Sequence, residues 1–154
     1  MGLRGGSISI GGLQPSVPAT SRSLGVFRTI SGTLLYHGWR LPVMLIDFGT
    51  SDWKEIPHMN GGESSVLAKM VMTEDTRIVL TRIPPGSSIG KHVQSTGDDV
   101  NYVLEGNGKA VCNGKEEILF PGVCHVCQKG SEHSIINDGE VDLVLFTTVP
   151  IVKT

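Results

Sequence analysis

Residues 101–127 read NYVLEGNGKAVCNGKEEILFPGVCHVC, and the punctuation of this stretch decides the fold. Four short runs (101–106, 108–112, 116–120 and 124–127) are rich in Val, Leu, Ile and Tyr. They are separated by Gly106-Asn107-Gly108, Asn113-Gly114 and Pro121-Gly122. Asn113-Gly114 between two such runs is a strong hairpin signal, because both central positions of that tight turn need positive φ. Outward from this stretch the same pattern continues in VLAKMVM (66–72), TRIVLTRI (76–83), HSIIN (133–137) and VDLVLFTTV (141–149). Pro84-Pro85-Gly86 and Asp138-Gly139 supply further breaks. Strands at this spacing, with no helical periods between them, indicate an all-β antiparallel sandwich or barrel.

Composition agrees. Twenty glycines and eight prolines in 154 residues are a heavy load for a helical protein. Hydrophobic residues at 39% are enough for one core, and 18% charged residues is too few for a disordered polyelectrolyte. A net charge of −2 gives no basic excess, so a nucleic-acid partner is not expected. No apolar run approaches the 18 or so residues that a spanning helix needs, so no membrane partner is expected either.

The charge is divided sharply along the chain. The first acid is Asp47, so the chain before it carries +4 from Arg4, Arg22, Arg28 and Arg40, and the rest carries −6. Residues 1–25 are rich in Gly, Ser and Pro and have no sustained apolar period, which predicts disorder. We therefore divide the chain into a flexible leader, 1–43, and a β-barrel domain, 44–154. Three readings of the leader stand: an upstream extension with Met44 as the initiator, an Arg- and Ser-rich transit segment, or an arm whose residues 27–48 supply a strand or an oligomer contact. The expected location is cytoplasmic, or organellar if the leader is a transit segment.

Two glycine-punctuated phrases carry the chemistry. The first is Pro85-Gly86-x5-His92-Val93-Gln94-x4-Asp99-x6-Gly106, and the second is Gly122-x5-Gln128-Lys129-Gly130-x2-His133-x3-Asn137. On a strand, residues two apart share a face, so His92 and Gln94 point the same way. Asp99 can return on the next strand to meet them, and His133 comes from a strand distant in sequence. Two imidazoles, an amide oxygen and a carboxylate converging in a barrel would make a metal site of mixed nitrogen and oxygen donors. Taken singly, each histidine is more readily a hydrogen-bonded strand residue than a metal ligand.

Together the phrases resemble the two motifs of the cupin superfamily, G-x5-H-x-H-x3,4-E-x6-G and G-x5-P-x-G-x2-H-x3-N. Gly86, His92, Gly106, Gly122, Gly130, His133 and Asn137 fall on matching positions. The similarity covers roughly residues 64–149. It implies a single antiparallel jelly-roll barrel (a double-stranded β-helix) with one divalent transition metal, iron, manganese, nickel or zinc, in its mouth. It also implies pairing into a homodimer. Where the family uses three histidines and a glutamate, this chain offers His92, Gln94, Asp99 and His133. Gln94 replaces a histidine, Asp99 a glutamate, and Gln128 the second motif's proline. Aspartate is one methylene shorter than glutamate, so its oxygen reaches a metal only if the backbone moves inward. Asp98 faces away if the strand is regular.

Cys124-His125-Val126-Cys127 has C-x-x-C spacing, but thiols three apart on a strand diverge, and no second pair completes a four-thiolate site. Each of the three cysteines is expected as a small buried hydrophobe. Tyr102 is expected in the core. His125, if inward, would lie below the metal as a substrate contact, and is otherwise a solvated strand histidine. Lys129 at the barrel mouth is the other candidate for holding a substrate. These readings point to a small-molecule substrate that is rich in oxygen (a sugar, hydroxy or keto acid, or enediol), turned over by an isomerase, lyase or dioxygenase. The alternative is a non-catalytic barrel that binds a sugar or carboxylate with little or no metal.

Overall fold

The structure, a computed structural model, describes residues 29–36 and 39–151. Among these there are strands and two single-turn 3-10 segments, Phe48–Thr50 and Met59–Gly61, but no α-helix. Most of the leader expected over 1–43 lies outside the described residues. Within it, β1 (Thr29–Tyr36) and β2 (Trp39–Ile46) form an antiparallel two-stranded sheet of their own.

The barrel is made of two facing antiparallel sheets. One has six strands, in the order β10 (Cys124–Cys127), β7 (Asp99–Glu105), β12 (Leu143–Pro150), β5 (Thr76–Ile83), β4 (Ser65–Met72), β3 (Lys54–Pro57). The other has four, in the order β6 (Ser88–Val93), β11 (Glu132–Ile136), β8 (Gly108–Cys112), β9 (Lys115–Leu119). From β5 to β12 the chain passes back and forth between the two sheets, apart from the β8–β9 hairpin, which is the connectivity of a jelly roll. The runs expected to be strands become β4, β5 and β7 to β12. Composition alone did not mark two strands, because β3 ends in Pro57 and β6 carries Gly90, Lys91 and His92.

Alternation along each strand fills the space between the sheets. Val66, Ile83, Val103, Ala110, Leu119, Ile135, Leu143 and Leu145 are almost fully buried and form one cluster. Burying each large aliphatic side chain is worth about 1.5–3 kcal/mol, so this cluster is what holds the sheets face to face. The β8–β9 turn is the hairpin that Asn113-Gly114 predicts, with φ of 48° and 78° at its two central residues. Gly106, which closes the first motif, has φ +75° and comes so close to the chain that a Cβ there would lie 2.2 Å from the Asp142 carbonyl oxygen. Asn137, which closes the second motif, is fully buried. Its amide donates to the carbonyls of Ile83 (2.7 Å) and Val141 (2.8 Å), and its oxygen accepts from Gly139 N–H.

Two packing expectations fail. Tyr102 is exposed, because β7 turns Asn101 and Val103 inward and so turns residue 102 out. Of the cysteines only Cys127 is fully buried; Cys124 is exposed and Cys112 intermediate. The divergence of Cys124 and Cys127 follows from the same alternation.

Candidate metal centre

β6 and β11 are paired neighbours, and their register sets His92 directly opposite His133. A register shift follows between His133 and Ile135, a bulge of the kind that re-aims a side chain beside a site. The two Nε2 atoms come to 3.2 Å from each other. Asp99 enters from the facing sheet, at the start of β7, and its Oδ2 lies 3.4 Å from His133 Nε2. The donor atoms of His92, Asp99 and His133 all lie within 4.8 Å of one another.

The supports behind these donors are specific. His92 Nδ1 lies 2.8 Å from the Gly90 carbonyl oxygen, which can only accept, so the hydrogen sits on Nδ1 and the lone pair on Nε2. Asp99 Oδ1 accepts from Asn101 Nδ2 (2.9 Å), and Asn101 Oδ1 accepts from the Thr147 hydroxyl (2.7 Å). This leaves Asp99 Oδ2 for the cluster. Asp98 lies outside, where its Oδ1 accepts the Lys129 backbone N–H (2.8 Å). The neighbouring carboxylates are thus divided between a loop clamp and the site.

Gln94 follows β6 and lines the same cavity as His92, Asp99 and His133. Its residue is only 6% exposed, and its buried Nε2 has no hydrogen-bond partner. That nitrogen can only donate, so it is left for an acceptor such as a substrate oxygen, while the amide oxygen is the atom able to join the donors. Two imidazole nitrogens, a carboxylate oxygen and this amide form a donor set suited to a first-row divalent metal, so the residues present fit one.

The cavity has a volume of about 320 Å³. Val79, Ile89, Ile135 and Val149 give it apolar walls, and Thr81, Thr96, Asn101 and Thr147 add polar points. Arg77 also lines it, inward on β5 with Val79 and Thr81. One of its terminal nitrogens donates to Thr96 Oγ1 (3.3 Å), while its Nε is buried and unpartnered. Among the described residues, no ion pair engages it. Arg77 went unmarked in the sequence because TRIVLTRI reads simply as a strand. The alternation that places Val79 and Ile83 inward also places residue 77 inward, and that was the available signal.

The two residues expected to hold substrate are elsewhere. Lys129 is exposed and is not among the cavity-lining residues. His125 is neither a cavity residue nor solvated. It is 2% exposed, behind His133 and hydrogen-bonded on both ring nitrogens.

Two facing antiparallel sheets around an open mouth, with imidazoles and a carboxylate meeting there, define a small jelly-roll barrel with a candidate metal centre. The comparisons with known proteins agree. The Cupin domain family model matches residues 79–149. The oxalate-binding protein of Thermotoga maritima is 31% identical over 102 residues, which cover 62% of this chain and 84% of that protein. The crystal structure of a predicted oxalate decarboxylase from Thermotoga maritima superposes with a TM-score of 0.62 at 26% identity, covering 65% of this chain and 92% of the other. KdgF from Halomonas sp., at 19% identity, shares the fold, with a TM-score of 0.60 over 70% of this chain and 92% of its own. The chain belongs to the cupin superfamily.

Proposed function

We propose that this barrel binds one divalent transition metal through His92, His133, Asp99 and Gln94, and acts on a small carboxylic acid of the oxalate kind held against Arg77. Iron, manganese, nickel and zinc all suit such a donor set. The observation that carries the substrate class is Arg77, a cation lining the donors' cavity with its Nε buried and unpartnered. A guanidinium presents parallel N–H donors that match a carboxylate two-pronged. Thr96, bonded to Arg77, restrains the fork. A volume of about 320 Å³ is at the small end for ligand pockets, which favours a compact acid over an extended sugar. The name of the Thermotoga maritima relative, an oxalate-binding protein, supports the same class.

When bound, the metal would supply Lewis-acid chemistry and chelation of two neighbouring substrate oxygens. The chain's own residues do the rest. Arg77 orients one carboxylate, and the walls from Val79, Ile89, Ile135 and Val149 exclude water. The second reading, binding without turnover, is favoured by one observation. Among the described residues, the titratable ones lining the cavity are Arg77, His92, Asp99 and His133, so none of these is left over as a general acid or base.

Calorimetric titration of the manganese-loaded protein with oxalate tests the proposal, with formate followed by proton NMR. Oxalate is expected to bind, and Arg77→Met to weaken binding by roughly tenfold to a hundredfold, the value of a hydrogen bond to a charged group. Equal affinity in the variant would refute the role of Arg77. Formate production would select the enzyme, and binding without formate the carrier.

A further inference from the structure

A hydrogen-bonded chain runs from the protein surface to the donor cluster. Glu117 on β9 is half-exposed, and its Oε2 lies 2.6 Å from Nδ1 of His125 on β10. His125 Nε2 lies 3.1 Å from Nδ1 of His133, and the two rings stack with an interplanar angle of 24°. β9 and β10 are edge strands of the two different sheets, so the Glu117–His125 bond crosses the seam of the barrel.

The outer end fixes the hydrogen on His125 Nδ1, and a cation at the centre, which needs the His133 lone pair on Nε2, fixes the remaining polarity. A carboxylate offers lone pairs alone, so the hydrogen between Glu117 and His125 belongs to His125 Nδ1. A neutral His125 then presents its lone pair at Nε2 and accepts from His133 Nδ1–H. The lone pair of His133 is thereby placed on Nε2, the atom that faces His92 Nε2 at 3.2 Å and Asp99 Oδ2 at 3.4 Å. The reverse polarity would aim an N–H into the cluster and block it.

We infer that Glu117 and His125 are positioning residues that fix His133 as an Nε2 ligand and so set the affinity of the centre for a divalent cation. This rests on the metal reading above. Partners that orient a ligating imidazole through its second nitrogen typically change metal affinity by about 10- to 100-fold when removed. A clamp between sheet edges that plays no part at the centre would affect stability instead.

The test uses the full chain and cobalt(II), with affinity measured by competition against a fluorescent chelator. Glu117→Ala is expected to raise the cobalt dissociation constant about tenfold or more, in a variant that stays folded without cobalt. Glu117→Asp is expected to recover part of the affinity. Ring-nitrogen spectra of the zinc-loaded parent should show the hydrogen on Nδ1 of both His125 and His133. Unchanged cobalt affinity in Glu117→Ala, with or without a lower melting temperature, overturns the inference, as does an Nε2–H on His133. A parent that takes up no cobalt overturns the metal reading itself, before any variant is compared.

Discussion

His92 and His133 present their Nε2 atoms to each other at 3.2 Å across paired strands, and the other nitrogen of each ring is already engaged. With Asp99 Oδ2 3.4 Å from His133, acceptor atoms crowd one point. Lone pairs in that arrangement repel unless a cation lies among them, and the fold pays for the crowding with the strand pairing and the bonds behind each donor.

Gln94 occupies the position where the family has a histidine, and a neutral amide oxygen is a weaker donor than imidazole toward borderline metals. Gln94→His is therefore expected to tighten cobalt(II) binding by about tenfold, and Gln94→Ala to weaken it. Competition titration measures both. A Gln94→Ala variant that binds cobalt as the parent does would remove Gln94 from the donor set.

Cys127 is fully buried, and burial, followed by the neighbouring Cys112, pushes its thiol up to about 12 from 9.0. The folded protein thus keeps this proton at pH values where the unfolded chain releases it. The resulting stability is fully present below about pH 9 and is lost as pH rises toward 12, at up to about 1.4 kcal/mol per pH unit. Urea unfolding between those pH values should show a shallower loss in Cys127→Ala than in the parent, although Cys127→Ala starts from lower stability. Identical slopes would contradict the assignment.

Sequence reading carried the barrel a long way because alternation and turn residues act locally. Asn113-Gly114 fixes its own hairpin, and TRIVLTRI becomes β5 from Thr76 to Ile83. His92, Asp99 and His133, whose donor atoms the structure brings within 4.8 Å of one another, were marked by the resemblance of their glycine-punctuated phrases to the cupin motifs. Contacts between strands remote in sequence were not. Nothing in CHVC says that His125 meets Glu117 across the seam, or that this contact places it behind His133 and away from solvent. Arg77 was hidden in the same way, as its importance comes from the cavity that β4, β6, β7, β11 and β12 complete around it. Lys129 looked suitable by its place in the second motif, but its backbone is tied to Asp98 and its side chain is left exposed.

Asn137 ties β5 to the loop before β12 through a buried bond to the Ile83 carbonyl and a part-buried one to the Val141 carbonyl. Asn137→Ala leaves the buried Ile83 carbonyl unsatisfied and is expected to cost about 2 kcal/mol, lowering the melting temperature by roughly 10 °C. Thermal unfolding followed by circular dichroism measures this. A change of a degree or two would mean that the loop reorganises without Asn137.

The proposed metal centre rests on His92, His133 and Asp99. Equilibrium dialysis of the untagged full chain against manganese(II) or cobalt(II), with elemental analysis of the retained protein, addresses it most directly. One metal ion per parent chain, lost in a folded His92→Ala, His133→Ala double variant, is the predicted result. A folded parent that retains none, or a double variant that retains as much as the parent, would contradict it.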